Sequence, residues 1–366
     1  MKKFLIVLLC IVVVIGGAGA VVFFKVNNYL NKINRVEDDI ETIPAAEEYF
    51  ETDVDELNAD AVVMDPDSIV WDAVSDTTVV TTAAGSDAAS DNDSASAVIP
   101  STQQETKAPD ATPSKSTEKE KTKLTNILLV GQDRRPGEGR SRSDAMILCS
   151  INTKTGKVSM ISFLRDLYVQ IPGYSDNKLN ATYVFGGFPL LKEALYKNFG
   201  VNVDACFEVD FNGFMALIDQ VGGVDINLTA EEVVQIGKGT HEGLNHLDGR
   251  SALAYARIRK IGTDFARTNR QRTVLLAVYD KLKDKSITEL LDMVETALPY
   301  VTTDMSNSQI YSLAAKLLPM VRSVSISTYH VPPEGTYQGV FIRKMYVLFP
   351  DLTAIRNILE TEYLPY

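Results

Sequence analysis

Cysteine is scarce: Cys10, Cys149 and Cys206 are the only three in 366 residues, too few for a disulfide framework. Cys10 lies in an apolar run, where a thiol behaves as a small hydrophobe. A Cys149–Cys206 bridge would suit an exported domain, but both sit in apolar strand-like runs, so two free buried thiols are expected. The three histidines, His241, His246 and His330, lack metal-ligand spacing and point to surface or loop positions. There is no internal repeat, and no helix-turn-helix pattern lies beside basic residues, which argues against direct DNA binding. Acidic groups are absent from residues 1–36, which carry five basic ones. Residues 37–123 carry 22 acidic and five basic groups, a net of −17, and residues 124–366 carry 26 of each. The acidity is therefore confined to one stretch. The neutral remainder gives no bulk electrostatic support for nucleic-acid binding.

Residues 4–24 form an uncharged, mostly apolar run between Lys3 and Lys25, long enough to span a bilayer core of about 30 Å. The preceding lysines place residues 1–3 in the cytosol and everything after Lys25 outside. Small residues from Gly16 to Ala20 also fit a cleaved signal peptide, but apolar residues continue through Phe24, which favours an uncleaved anchor. A short juxtamembrane helix fits Val26 to Phe50. Residues 84–123 are low in complexity and poor in aromatics, so they cannot bury enough surface to fold. The whole of 25–123 reads as a disordered acidic stalk, extended by self-repulsion.

From Leu124 the pattern changes to apolar runs separated by turns. Strands are expected at 126–130, 145–151, 157–163, 207–211, 224–228 and 324–331. Helices are expected at 189–198, 213–220, 230–235, 263–283, 288–298, 307–320 and 351–362. Their alternation predicts an α/β domain over 124–366, a mixed sheet covered by helices.

The helix at 263–283 has an uneven buried face. Leu275, Val278 and Leu282 share one side with Val274 beside them, and the same side continues back to Gln271, Arg270 and Arg267. A buried guanidinium needs a carboxylate or an anion-holding cleft. Thr263 and Asp264 look like N-terminal capping residues, and a helix N-terminus favours negative charge. The competing arrangement is an exposed basic first turn made by Arg267, Arg270 and Arg272.

Other charged groups gather at strand ends. The first strand runs into Gly131-Gln132-Asp133-Arg134-Arg135, and Arg140-Ser141-Arg142-Ser143-Asp144 heads the second. Arg165-Asp166 follows the third. Crevices beside strand ends are the usual ligand sites of open α/β sheets. Asp133 and Asp144 suit a hard cation such as Mg²⁺, and suit salt bridges equally well. Arg257 and Arg259 would point to one side if extended and diverge in a helix.

These residues resemble the LytR-CpsA-Psr family of membrane-anchored bacterial cell-wall enzymes. The resemblance is carried over 124–285 by Gly131-Gln132-Asp133-Arg134, Arg142-Ser143-Asp144, Arg165-Asp166, Lys178-Leu179-Asn180-Ala181, Tyr255-Ala256-Arg257-Ile258-Arg259 and Asp264-Phe265-Ala266-Arg267-Thr268-Asn269-Arg270-Gln271. The family usually has Ile-Pro where this chain has Phe163-Leu164, and Thr where it has Ala145, with no charged position changed. The resemblance implies an α-β-α domain with helices on both sheet faces. It also implies a phosphotransferase that moves a glycopolymer from an undecaprenyl-pyrophosphate carrier to a peptidoglycan hydroxyl, using Mg²⁺.

On that likeness Asp133 and Asp144 bind the metal. Arg142, Arg165, Arg257, Arg259, Arg267 and Gln271 hold pyrophosphate oxygens. Lys178, Asn180, Arg270 and Asp264 join the substrate site, and Asp133 or Asp166 orients or deprotonates the attacking hydroxyl. Tyr183, Phe185, Phe211 and Phe214 would line a polyprenyl pocket. A hydrolase of the same carrier, or a non-enzymatic envelope binder or regulator, would use the same arginines.

Overall fold

The computed structural model describes residues 30–35, 62–71, 124–132, 139–286, 289, 293, 298–317 and 324–366, with the side chains of 314 and 315 left out. The expected anchor, most of the juxtamembrane segment, Asp133 and most of the 288–298 helix lie outside these residues. Among the described residues no helix is long and apolar enough to cross a membrane.

In chain order the elements are β1 (Asn34–Arg35), β2 (Val62–Val63), β3 (Leu124–Gln132), β4 (Ser143–Asn152), β5 (Lys157–Phe163), β6 (Tyr168–Val169), β7 (Asn177–Lys178), α1 (Ala181–Phe199), β8 (Ala205–Asp210) and α2 (Phe211–Gln220). They continue with β9 (Val224–Leu228), α3 (Ala230–Ile236), β10 (Gly243–Leu247), α4 (Gly249–Ala256), α5 (Asp264–Leu282), β11 (Thr302–Thr303), α6 (Asn307–Leu317), β12 (Ser325–Val331), β13 (Tyr337–Ile342), β14 (Met345–Pro350) and α7 (Leu352–Ile358). A seven-stranded mixed sheet runs in the order β1-β11-β8-β3-β4-β5-β12. Its middle strands are buried on both faces, so they read as continuous apolar runs rather than alternating ones.

Successive residues of β3 feed opposite cores. Ile127 and Leu129 pack with α2, α4, α5 and α6, whereas Leu128 and Val130 pack with α1 and α7. Helices thus cover both faces, as the resemblance implied. Cys149 and Cys206 are free. They belong to these different cores, so they point to opposite sides of the sheet and no bridge can form.

Caps fix where the helices begin. Asp210 accepts from the Gly213 N–H before α2, Asp248 from the Ser251 N–H before α4, and Thr229 forms a capping box with Glu232 at α3. The helix expected at 189–198 is part of the longer α1, broken at Gly186 and Gly187, with Gly187 at φ 58° ahead of Pro189, a conformation that favours glycine.

The stalk needs correction. Leu30 and Ile33 are buried in the core beside α2 and α6, and β1 pairs with β11. β2 pairs with β13, and Trp71 stacks on Phe349 while its Nε1 donates to Asp176. Each piece is too short to carry a periodic signal. A few apolar side chains in an acidic background are enough to anchor it.

Candidate active site

At one end of the sheet the strand termini deliver a continuous charge network. Asp144, at the start of β4, accepts from Arg165 at 3.0 Å and from Arg259 at 3.4 Å. Arg165 follows β5 and also lies 3.4 Å from Asp166 and 3.8 Å from Asp264. Asp166 is held by Lys178 at 3.0 Å, and Asp264 accepts from Arg267 at 2.9 Å. Burial works against the charge on Arg165, but Asp166, Asp264 and Asp144 outweigh it and push its pKa up.

Arg267 and Asp264 behave differently. Burial lowers the pKa of Arg267, and burial raises that of Asp264 against the pull of Arg267 and Arg165. Both shifts favour the neutral forms, so desolvation outweighs the pair's mutual attraction. Consistent with this, Nε and Nη1 of Arg267 have no hydrogen-bond partner among the described residues although the residue is only 3% exposed. Two buried guanidinium donors are left for an acceptor that the described residues do not supply.

Those donors border a cleft of about 810 Å³, counting its open mouth. Leu129, Ile147 and Val209 come from the sheet, Phe211 and Phe214 from α2, Leu253 and Ala256 from α4, and Leu275 from α5. Asp144, Asp210, Arg257, Arg259, Arg267 and Gln271 are its charged and polar members, and Asp210 is also the N-cap of α2. The Arg257 guanidinium lies 4.1 Å from the Phe211 ring centroid, a cation–π contact that joins the polar and apolar parts. Gln271 presents a buried Oε1 without a hydrogen-bond partner. α4 ends at Arg257, its C-cap, and the chain leaves the helix before Arg259, so the two arginines reach the cleft without sharing a strand. Such a cleft suits an amphiphile with an apolar body and an anionic head.

Several expected positions are corrected. Arg270 does not face the cleft: it is buried against Glu232 at 2.8 Å and donates to the Ile258 and Ile261 carbonyls. Arg272 is also buried, donating to Ser162 at 2.7 Å, so the exposed basic first turn does not exist. Tyr183 and Phe185 belong to the core on the other face, where the Tyr183 hydroxyl donates to Glu208 and Phe185 stacks on Tyr174. Asn180 is buried at the start of α1, and Arg142 and Asn180 are not among the cleft-lining residues. Thr263 sits at the α5 N-cap but makes no side-chain cap hydrogen bond. Asp264 is engaged with Arg267 instead.

Sequence reasoning missed Asp210, at the end of β8, and also Leu253 and Ala256, because α4 was not expected. Asp248 before the Ser-Ala-Leu-Ala-Tyr-Ala run was the available capping signal.

The sequence pattern of the LytR_cpsA_psr family matches residues 73–362. The chain belongs to this family. The regulatory protein MsrR of Staphylococcus aureus (strain COL) is 31% identical over 219 residues, covering 59% of this chain and 66% of MsrR, just under two thirds of that relative. The polyisoprenyl-teichoic acid–peptidoglycan teichoic acid transferase TagT of Bacillus subtilis (strain 168) is 32% identical over 226 residues, covering 58% of this chain and 70% of TagT. A solved structure of YwtF (TagT) with bound octaprenyl pyrophosphate lipid superposes with a TM-score of 0.51 at 25% identity, covering 66% of this chain and 90% of that one.

For a metal, the described residues of this LytR_cpsA_psr chain hold no group of three or more His, Cys, Asp or Glu side chains able to cage one. Asp144 does offer carboxylate oxygens at the cleft. Mg²⁺ commonly takes only one or two carboxylates and completes its shell with water and substrate phosphate oxygens, and the donor set fits that mode.

Proposed function

We propose that the chain is a membrane-anchored phosphotransferase that moves a glycopolymer from a polyprenyl-pyrophosphate carrier to a peptidoglycan hydroxyl, leaving a phosphodiester. The observation that carries this reading is the pair of unpartnered, buried Arg267 donors at the edge of an apolar cleft. A pyrophosphate would satisfy them, and a prenyl chain would fill the cleft between Phe211, Phe214 and Leu275. The relatives named as teichoic acid transferases, and the related structure holding octaprenyl pyrophosphate, support the same substrate class.

In this reading Arg257, Arg259 and Arg267 donate to the phosphoryl oxygens, a task suited to the planar guanidinium fork. Arg165 positions the neighbouring carboxylates. Asp166, itself fixed by Lys178, holds Arg165 in turn, and Asp264 aims Arg267. The acceptor hydroxyl, giving its proton to Asp133 or Asp166, attacks the phosphorus bound to the glycopolymer, and the polyprenyl phosphate departs with the bridging oxygen. Catalysis is then mainly positioning and neutralisation of charge on the equatorial oxygens and the leaving group. Asp144, with Asp133 outside the described residues, would hold Mg²⁺, which supplies further charge neutralisation at the pyrophosphate. Residues 4–24 anchor the chain in the cytoplasmic membrane with the domain outside, where a tethered enzyme meets its lipid-linked substrate at high local concentration.

The test is turnover by the full chain in detergent with a lipid-linked glycan and a peptidoglycan fragment, with and without Mg²⁺, comparing Arg267→Met and Asp144→Asn with wild type. Transfer that is metal-dependent and lost in both variants supports the proposal. Phosphate release without glycan product points to a hydrolase, and binding without turnover to a carrier-binding protein.

A further inference from the structure

The start of β4 breaks the alternation of its own strand. Ala145 and Ile147 line the cleft, whereas Met146 and Leu148 belong to the core on the opposite face. Regular pleating would therefore turn Asp144 away from the cleft and into that opposite core. Asp144 nevertheless lines the cleft and accepts from Arg165 and Arg259. A β-bulge accounts for the difference. Gly131 pairs with Ala145 and Gln132 pairs with Ser143, which leaves Asp144 as the extra residue on β4. Bulges re-aim side chains next to sites of this kind, and this one delivers a carboxylate.

The groups that hold the bulge come from the other face of the sheet. Gln132 is fully buried. Its Nε2 donates to Glu208 on β8, and its Oε1 accepts from the Ser141 N–H at 2.9 Å. One side-chain amide thus ties the last residue of β3 to the chain leading into β4. Glu208, only 4% exposed, also accepts from the Tyr183 hydroxyl in the first turn of α1. Burial, with Glu208 second, pushes the Tyr183 pKa up, so the hydroxyl stays protonated and donates. Arg140, next to Ser141, lies over the break in α1, where a Cβ on Gly187 would stand 3.1 Å from its guanidinium carbon. Gln132, Glu208 and Tyr183 do not line the cleft.

We propose that Tyr183, Glu208 and Gln132 form a positioning relay that fixes the β4 bulge and so aims Asp144 into the cleft from the opposite face of the sheet. The relay begins in the same segment as Lys178, which holds Asp166 beside Arg165. Residues 178–183 therefore reach Asp144 by two routes, one through Arg165 and one through Gln132. The consequence for catalysis rests on the proposed role of Asp144 as a Mg²⁺ carboxylate.

The test uses the full chain in detergent with Cys10→Ser. Asp144→Cys places a thiol on the bulge, and its rate of modification by 2-sulfonatoethyl methanethiosulfonate is measured. Cys149 and Cys206 are buried, and the chain without Asp144→Cys gives their background. Asp144→Cys also removes the pull of Arg165 and Arg259, so the rate reports the aim of the backbone alone. Adding Gln132→Leu should slow the reaction by about ten-fold or more, because the lost hydrogen bonds let the side chain return to the buried face. Glu208→Leu should do the same. Glu208→Gln should keep most of the rate, since its oxygen still accepts from Gln132 and its amide can donate to the Tyr183 oxygen. That rescue separates positioning from a general loss of fold. A thiol that is unreactive with the relay intact, or a rate unchanged by Gln132→Leu and Glu208→Leu, overturns the relay, as does equal slowing in Glu208→Gln and Glu208→Leu. Mn²⁺ binding in the presence of a short-chain polyprenyl pyrophosphate is followed in parallel by electron paramagnetic resonance. Gln132→Leu should weaken it by about ten-fold or more, as expected for a group that orients a metal ligand. If Asp144→Asn leaves Mn²⁺ binding unchanged, the metal role of Asp144 falls while the thiol rates still decide the relay.

Discussion

Arg267 and Arg270 lie three residues apart on one helix and are both buried, yet their loss should have opposite consequences. Replacing Arg267 with Met removes one ion pair to Asp264, whose gain is roughly cancelled by its desolvation. It also removes two unpartnered donors, each of which costs about 1–3 kcal/mol when buried. Asp264, whose pKa burial already raises, can take up a proton in place of its lost partner. Folding stability should therefore hold or rise by about 1–2 kcal/mol. Ligand affinity should fall, since losing charge-assisted hydrogen bonds to pyrophosphate costs about 3 kcal/mol or more, at least ~100-fold in Kd.

Replacing Arg270 with Met strands Glu232, whose side chain is 11% exposed, and an uncompensated buried charge costs about 3–5 kcal/mol. At about 2–4 °C per kcal/mol for a domain of this size, Tm should drop by roughly 6–20 °C. The folded fraction should bind with unchanged affinity. Calorimetry and a fluorescence titration with a short-chain polyprenyl pyrophosphate, both on the full chain in detergent, measure the two effects. If Arg267→Met is as destabilising as Arg270→Met and binding barely changes, the assignment of Arg267 to an anion site is wrong.

Burial pushes the Cys149 thiol from 9.0 up to about 12. The unfolded chain sheds this proton above pH 9 while the folded chain keeps it until about 12, so the contribution is complete below pH 9 and is lost as pH rises through that window. Cys149→Ala should flatten the fall of the urea midpoint between about pH 8 and 10.5, and parallel slopes in variant and wild type would refute this. A Cβ on Gly249 would sit 2.2 Å from the Met215 carbonyl oxygen, so Gly249→Ala should push α2 and α4 apart at a cost of about 1–3 kcal/mol. Those helices carry Phe214 and Leu253, so carrier binding should weaken together with Tm, and an unchanged Tm would contradict the close contact. Phe214→Ala should weaken octaprenyl pyrophosphate by about 1.5–3 kcal/mol while leaving inorganic pyrophosphate unaffected. Equal losses for both ligands would remove Phe214 from the prenyl path.

The sequence alone determined the central strands, because strands buried on both faces must be almost wholly apolar. It also determined α5, whose 3.6-residue period places Arg267 on the side of Val274 and Val278. Local chemistry was legible as well, in the Arg-Asp pairs that follow strands and in the spacing of the motifs. Short exposed elements escaped it. The β13–β14 hairpin turns at Arg343 and Lys344 with φ of 50° and 65°, where no Asn-Gly pair announces a turn. Leu30, Ile33 and Trp71 carried no periodicity because each docks alone. Only the tertiary structure separated Arg267 from Arg270. Their neighbours along the chain are nearly equivalent, and what differs is Glu232, 38 residues away, which satisfies one guanidinium and leaves the other turned toward the cleft. The same holds for half-buried Phe211 and buried Phe185, two aromatics that the strand register and the path of α1 assign to opposite faces of one sheet. Burial is written in residue type, but the partner of a buried group is decided by chain segments distant in sequence.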